Sequence, residues 1–526
     1  MKNPGSTIAT DFDVVIIGGA LSGAATALLL LQAQPAMRVL IIEKSTAFSR
    51  RVGEATVEVS TYFLCRRLGL TRYLNEEHLN KNGLRFWFSN EKTTELDQCS
   101  EIGGRYLARV PAYLVDRAKM DEEVLRRAVE QGAALWRPAA VQKVTLAERG
   151  MQVISVKVDN QIREVTARWI VDASGVAAFL ARQEGWWRPN PEHPTTAVWS
   201  RWRGVKDFED AGVATKFPKW AMHCYGVRGT ATNHLMGDGW WAWWIPLKGG
   251  DVSIGVTYDQ RLVKFPEEGS VGLRLKEFLL RHPVARELMA DATWTEGDVH
   301  WRKNLPYYST RMFGEGFALV GDAAGFLDPF YSPGMDWISF TTSATAHLIV
   351  SAFAGEDIRS EVERQNLLFT RSYHRWFRAI YKDKYEYFGE YDLMRVAFLL
   401  DLGFYYFGVA RQPFTRGEEA LREPLFSTKP SVPFYHLMRF YNARFARMAR
   451  HRRERKRSGK HNAAKRFMFG GFTFEKSSAV PLVKALAAWG TLELKEGWRT
   501  WFSSRKRRPF LGEALPAPSP ASEALS

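Results

Sequence analysis

The sequence predicts an α/β fold with a β-rich region and a helical C-terminal lobe. Three observations carry this. DVVIIGG at 13–19 is β-branched and ends in glycines, ALSGAATALLLLQAQ at 20–34 is built from helix formers, and RVLIIEK at 38–44 is a second apolar strand. That order reads βαβ. Strand-like sequence returns at 141–173 and 195–260, and from 341 to 449 helical periodicity dominates, as in SYHRWFRAIYKDKYEYFG. Helical patterns at 57–79 and 116–132 and a helix start near Asp336 complete the order.

At 526 residues, 46% hydrophobic and 25% charged, the chain can bury a large core and divide into several units. The boundaries read as 10–190 with 296–345 for the dinucleotide unit, 191–295 with 81–110 for a β-rich, substrate-facing region, and 346–508 for the helical lobe. Residues 509–526, rich in Pro, Ala and Ser, read as a disordered tail. Cys65, Cys99 and Cys224 form neither a CxxC pair nor a disulfide framework, which suits a reducing cytoplasm. No basic n-region precedes the first strand, and the apolar stretch 396–410 is interrupted by Asp401 and too short for a bilayer core of about 30 Å. A soluble, cytoplasmic protein with at most peripheral membrane contact is expected. Net charge is +16, and nine Lys and Arg fall within 450–466, opposed by Glu454 alone. Such a run reads first as a solvated basic helix, then as a docking site for an acidic protein; nucleic acid is not the expected partner.

Gly18-Gly19-Ala20-Leu21-Ser22-Gly23 supplies a turn between the first strand and helix. Glycines there permit a tight bend and close approach of a pyrophosphate, whose charge the helix N-terminus meets. Ala20 replaces the second glycine of a full GxGxxG and crowds the phosphate side. Glu43, about 20 residues on and followed by Lys44, ends the next strand where an acid holds ribose hydroxyls.

Four later segments extend this pattern: Val52-Gly53-Glu54-Ala55-Thr56, Val115-Asp116-Arg117, Val171-Asp172-Ala173-Ser174-Gly175 and Gly321-Asp322-Ala323-Ala324-Gly325. In this order they resemble the flavoprotein monooxygenase and halogenase superfamily over residues 10–350. The resemblance implies an FAD-binding Rossmann-like domain of the glutathione-reductase type, similar to p-hydroxybenzoate hydroxylase. Gly18, Gly19, Ala20, Ser22, Gly23, Glu43, Lys44, Arg51, Gly53, Glu54, Arg117, Asp322 and Gly325 would then surround the cofactor, with Asp322 on the ribityl chain and Arg117 near the pyrophosphate. Read alone, Asp322 is as readily a helix cap and Arg117 a surface helix residue. The family's arginine upstream of Gly-Glu falls on Ser49 here, with Arg50 and Arg51 beside it.

Trp241-Ala242-Trp243-Trp244-Ile245-Pro246 resembles the WxWxIP signature of flavin-dependent halogenases. The resemblance implies that Trp241 and Trp243, with Pro246, stand beside the flavin and keep organic substrate from it, so that halide reacts instead. By composition the segment is also an aromatic core strand. Lys81, followed by Asn82-Gly83, takes the position at which phenol and pyrrole halogenases carry a lysine after their Gly-Glu motif. That implies delivery of electrophilic halogen from hypohalous acid to an electron-rich ring, with burial tuning the amine; a lone loop lysine is otherwise a surface charge. Ser332-Pro333-Gly334 matches the family's S-x-G segment, whose amides hold chloride or bromide, although Pro333 lacks a donor. No tryptophan-halogenase-like glutamate precedes Ser332, which favours a phenol or pyrrole over free tryptophan.

The expected system therefore has FAD reduced by a separate flavin reductase, a halide ion, and a small aromatic substrate, free or tethered to an acidic carrier protein. No metal is expected. The alternatives are an aromatic hydroxylase or a geranylgeranyl-reductase-like oxidoreductase on the same fold, and a binding-only flavoprotein acting through its basic segment.

Overall fold

The computed structural model describes residues 10–501 apart from 148, 149 and 225. The tail expected at 509–526 lies outside the described residues.

One sheet of eight strands carries the N-terminal unit. At its centre Thr10–Ile17 lies parallel to Val39–Ile42 on one side and to Gln161–Asp172 on the other, with Phe317–Leu319 parallel beyond. Ile17 is level with Ile42 and Asp172, and Asp172 with Leu319. The carboxyl ends of four strands thus finish along one edge, where open parallel sheets bind ligands. Gly18, Glu43, Ala173 and Gly321 all lie just past those ends. Helix Leu21–Ala33 is apolar on every face and is buried throughout Leu21–Leu31 apart from Ser22, as a helix sandwiched within a core must be.

The second sheet has nine strands; Trp240–Pro246 is interior, between Thr232–Gly237 and Val252–Asp259. Its side chains alternate with the two-residue strand period. Trp241, Trp243 and Ile245 enter the large core shared with the dinucleotide unit and helical lobe, while Ala242 and Trp244 enter a smaller core under helices Val271–Leu279 and Pro283–Met289. Strands Leu84–Phe88 and Ser100–Gly104 belong to this sheet too.

Four sequence expectations change. The pattern at 57–79 is not continuous: it splits into Glu58–Tyr62, a π-turn Phe63–Arg67 and Thr71–Glu77, with Gly69 at φ +67° where the chain turns. The helix expected near Asp336 begins at Pro333, whose fixed φ suits a first helical position. The apolar stretch at 396–410 extends into a helical run, Tyr391–Arg422, apolar and long enough to cross a membrane, yet 61% of its most apolar window is buried in the protein.

The basic run is the fourth. Helix Val432–Glu454 stops inside it, and Arg466–Phe469 is a strand parallel to Ser100–Gly104. Arg452, only 3% exposed, binds Glu390, Asp392 and Glu496, and Arg453 pairs with Asp238 and Glu386. These arginines tie the lobe together, because a guanidinium's five donors satisfy several carboxylates at once. Arg455, Arg457, Lys460 and Lys465, with Arg395, Lys495 and Arg499, line a basin of about 670 Å³ that Arg452, Asp392 and Glu496 also border.

Candidate active site

The nucleotide cradle is built from close approaches. Gly18 has φ +102°, and a Cβ there would lie 2.6 Å from the carbonyl oxygen of Ala173. A Cβ on Gly23 would meet the Gly18 oxygen at 1.9 Å, so the turn folds back on its own helix. Gly321, at φ +58°, would meet Ser22 Oγ at 2.6 Å, which brings the first and last motifs together. The helix opening at Leu21 has no side-chain cap and no acid in its first turn. Its leading amides therefore suit a pyrophosphate. Glu43 is buried and accepts hydrogen bonds from the Gly19 amide (2.8 Å), the Ser45 amide and the Ser45 hydroxyl; Lys44 is exposed.

Arginines collect around the far side of this cradle. Arg117 is clamped to Asp121 (3.0 and 3.3 Å) and donates to the Val52 carbonyl, and a Cβ on Gly53 would collide with it at 2.6 Å. Burial pushes the Asp322 carboxyl up, and Arg302, Arg117 and Arg51 pull it down. A carboxylate among cations beside a glycine turn fits the donor and acceptor pattern of a phosphorylated polyol, so these residues fit FAD. Glu54 is spent elsewhere: it is buried and bound by Arg201 through Nε (3.1 Å) and Nη2 (2.9 Å), with Oε2 left without a partner. Gly325 permits contact with the neighbouring strand, since its Cβ would lie 3.2 Å from the Tyr307 oxygen.

The loop at 328–334 joins this cradle to the tryptophan strand. Tyr331 and Ser332 both have positive φ, +68° and +57°, a conformation that costs non-glycine residues about 1–3 kcal/mol each. A buried polar chain holds the loop. His193 Nε2 lies 2.8 Å from Asp328, the Tyr385 hydroxyl donates to the same carboxylate (2.9 Å), and Trp241 Nε1 donates to Tyr385 (3.0 Å). Phe330 packs edge-on against Trp241 at 5.1 Å. Trp243 donates to Ser253, and Pro246 ends the strand half-buried. The Ser332 amide donates to the Pro329 carbonyl (3.0 Å) and Pro333 has none, so within Ser332-Pro333-Gly334 the amide left over is that of Gly334, in the first turn of a 21-residue helix.

Lys81 lies across the loop from this helix. It follows strand Leu79–Asn80, and Gly83, at φ +78°, turns the chain into Leu84–Phe88. Its side chain is buried, 3% exposed, and Nζ donates to the Thr56 carbonyl at 2.7 Å. Burial lowers its pKa from 10.5 to about 8, against the pull of Glu58 and Asp336. Asp336 accepts from the Ser60 amide (2.9 Å) and the Tyr405 hydroxyl (3.0 Å), and burial raises its carboxyl to about 7. Tyr406 donates to Glu58. His234, stacked on Phe86 at 5.0 Å, is driven down to about 3 chiefly by burial, so it adds no charge. Lys81, Glu58, Asp336, Tyr331 and Pro333 all line one cavity of about 630 Å³; Trp241 and Trp243 do not.

The sequence reading missed the carboxylates of this cavity and the Asp328 chain. Asp336 was legible only as a helix start, and Glu58 had only its proximity to Glu54. Nothing local marks His193 or Tyr385. Among the described residues no cluster of three His, Cys, Asp or Glu is placed to hold a metal.

Comparison with known proteins adds what the chain is similar to. An FAD-binding-domain model matches residues 11–213. The chain is 25% identical over 379 residues to a flavin-dependent halogenase of Dictyostelium discoideum, covering 65% of this chain and 61% of that one. It is likewise 25% identical over 389 residues to a 1H-pyrrole-2-carbonyl-[peptidyl-carrier protein] chlorinase of Pseudomonas fluorescens, covering 70% and 83%. Among the first curated relatives the match spans 61% to 66% of their length. In fold it is similar to the crystal structure of halogenase PltM, with a TM-score of 0.71 at 20% identity, covering 91% of this chain and 96% of that one.

Proposed function

We propose that this chain, a relative of the flavin-dependent halogenases that carries an FAD-binding domain at 11–213, halogenates an electron-rich aromatic ring, a phenol or pyrrole, at Lys81. The observation that carries the reading is one cavity lined both by the loop at Tyr331 and Pro333 and by the buried amine of Lys81. Reduced FAD, when bound, supplies the electrons that turn O2 and halide into hypohalous acid. The chain's own part is to bind, position and keep water out.

Gly334 and its helix turn offer halide a positive end. Trp241, locked to Tyr385, and Trp243 wall organic substrate off from the cradle. Lys81, neutral once pH passes about 8, receives the halogen and presents it to the ring. The ring exchanges C–H for C–halogen, and Asp336 or Glu58 takes the released proton. A separate reductase supplies the reduced flavin. An acidic carrier protein, where the substrate is tethered to one, would meet the basic basin at Arg455 and Lys460.

The test is direct. Incubate the protein with FAD, a flavin reductase, NADH, bromide and a panel of phenols, and seek the bromine isotope doublet by mass spectrometry. Rapid NADH oxidation without added reductase, giving hydroxylated products only, would instead establish the aromatic hydroxylase.

A further inference from the structure

We infer that helix Ala479–Lys495 and the turn after it rest on an anionic lipid surface, holding the protein at a membrane without crossing it. The inference does not depend on which reaction the cavity performs.

The helix reads AVPLVKALAAWGTLELK and is apolar on both faces, whereas the lobe covers one. On the covered face Leu482 lies against Gly403, where a Cβ would meet its Cδ1 at 2.9 Å, and Trp489 packs edge-on against Tyr441 at 5.9 Å. The acids turn inward as well: Glu493 binds Arg444 (2.7 Å), and Glu496, just past the helix, binds Arg452. On the other face Val480, Val483, Ala487 and Leu494 recur at helical spacing and are exposed, Leu494 by 81%. Trp498 and Trp501, each more than half exposed, continue the stripe, and Trp501 lies 6.3 Å from the exposed Phe440 of helix Val432–Glu454.

A contiguous apolar stripe of this kind marks a surface that something covers, and the charges around it select what does. Between 479 and 501 the exposed charged side chains are Lys484, Lys495 and Arg499, all cationic. In the sequence Arg505, Lys506, Arg507 and Arg508 follow, outside the described residues. A second copy of the chain would set these cations against themselves, and the residues that follow repeat the charge rather than oppose it. Anionic headgroups do oppose it. An interfacial helix keeps its apolar face at the acyl boundary, its tryptophans at headgroup level and its Lys and Arg near phosphate. With Glu493 and Glu496 tied to the lobe, the helix lies in the surface and does not span it.

The experiment measures co-sedimentation of the full-length, FAD-loaded protein with vesicles of phosphatidylcholine alone and of phosphatidylcholine mixed with phosphatidylglycerol, at low and at high salt. Binding should be at least about tenfold tighter on the mixed vesicles and should weaken in high salt. Val483→Glu with Leu494→Glu, both at exposed positions, should weaken binding about tenfold or more while FAD binding is unchanged. Lys484→Glu with Arg499→Glu, which leaves the apolar stripe in place, should cost about 25-fold or more on the mixed vesicles and little on phosphatidylcholine. Absence of co-sedimentation with the mixed vesicles would overturn the inference. So would binding that Val483→Glu with Leu494→Glu leaves undiminished, because cations would then be acting without the helix. A dimer in solution that this variant dissolves, with no vesicle binding, would overturn it in favour of a second copy.

Discussion

Among the described residues two lysines are buried, and they have opposite surroundings. Lys384, fully buried, is paired with Asp401, which also accepts from the hydroxyls of Tyr331 and Tyr441. The Lys81 amine donates to a carbonyl and feels Glu58 and Asp336 only through space, those carboxylates being held by their own donors, Tyr406 and Tyr405 with Ser60. Burial lowers the pKa of both amines. The paired ammonium is a strut. The one given a cavity and, among the described residues, no ion-pair partner can lose its proton near pH 8.

The largest effect that separates them is on turnover. Lys81→Ala should cut halogenation on the order of 10²- to 10⁴-fold, comparable to losing a positioned acid or base. Flavin reoxidation should continue, and a scavenger should trap hypohalous acid in a halide-dependent way. Lys81→Arg should be nearly as poor, because a guanidinium is never the neutral amine. Retention of most of the rate in Lys81→Ala would make Lys81 a strut like Lys384.

Lys384→Met should do the reverse, costing about 3–5 kcal/mol in denaturant unfolding by stranding the Asp401 charge. Lys384→Met combined with Asp401→Asn should recover much of that loss. A Lys384→Met protein of unchanged stability would erase the contrast.

A smaller effect concerns pH. Lys81 at about 8 loses its proton, and Asp336 at about 7 becomes a base, as pH rises. Halogen transfer should therefore climb with pH between 7 and 9, with a midpoint near 8, in single-turnover measurements. The folded pKa lies below the unfolded 10.5, so stability should also rise between about 8 and 10.5, and Lys81→Met should remove that slope. A rate flat across this interval would mean that the ammonium is the working form.

The smallest is electrostatic. Arg455→Glu with Lys460→Glu should leave free phenols unaffected and should flatten the salt dependence of any carrier-tethered substrate, since exposed charges act within a Debye length of about 8–10 Å. An equal salt response for both substrate forms would dissociate the basin from catalysis.

Local sequence determined the parts of this protein that depend on neighbours in the chain. The glycine turn at 18–23, the strand leading into Glu43, the tryptophan strand and a helix near Asp336, though not its start at Pro333, were legible because backbone freedom and two- or 3.6-residue periodicity are properties of adjacent residues. Lys81 was found by its spacing, and composition alone would have left it a surface charge. Tertiary structure decided which charges are spent. It bound Glu54 to Arg201 and turned Arg452 from a solvated cation into a buried clasp. It also brought Asp336 and Glu58 to Lys81, and His193 and Tyr385 to Asp328, across separations in the chain that no local pattern records. The reason is physical: a buried charge or donor takes its energy from whichever partner folding delivers within about 3 Å, and that partner is set by how the sheets and helices pack.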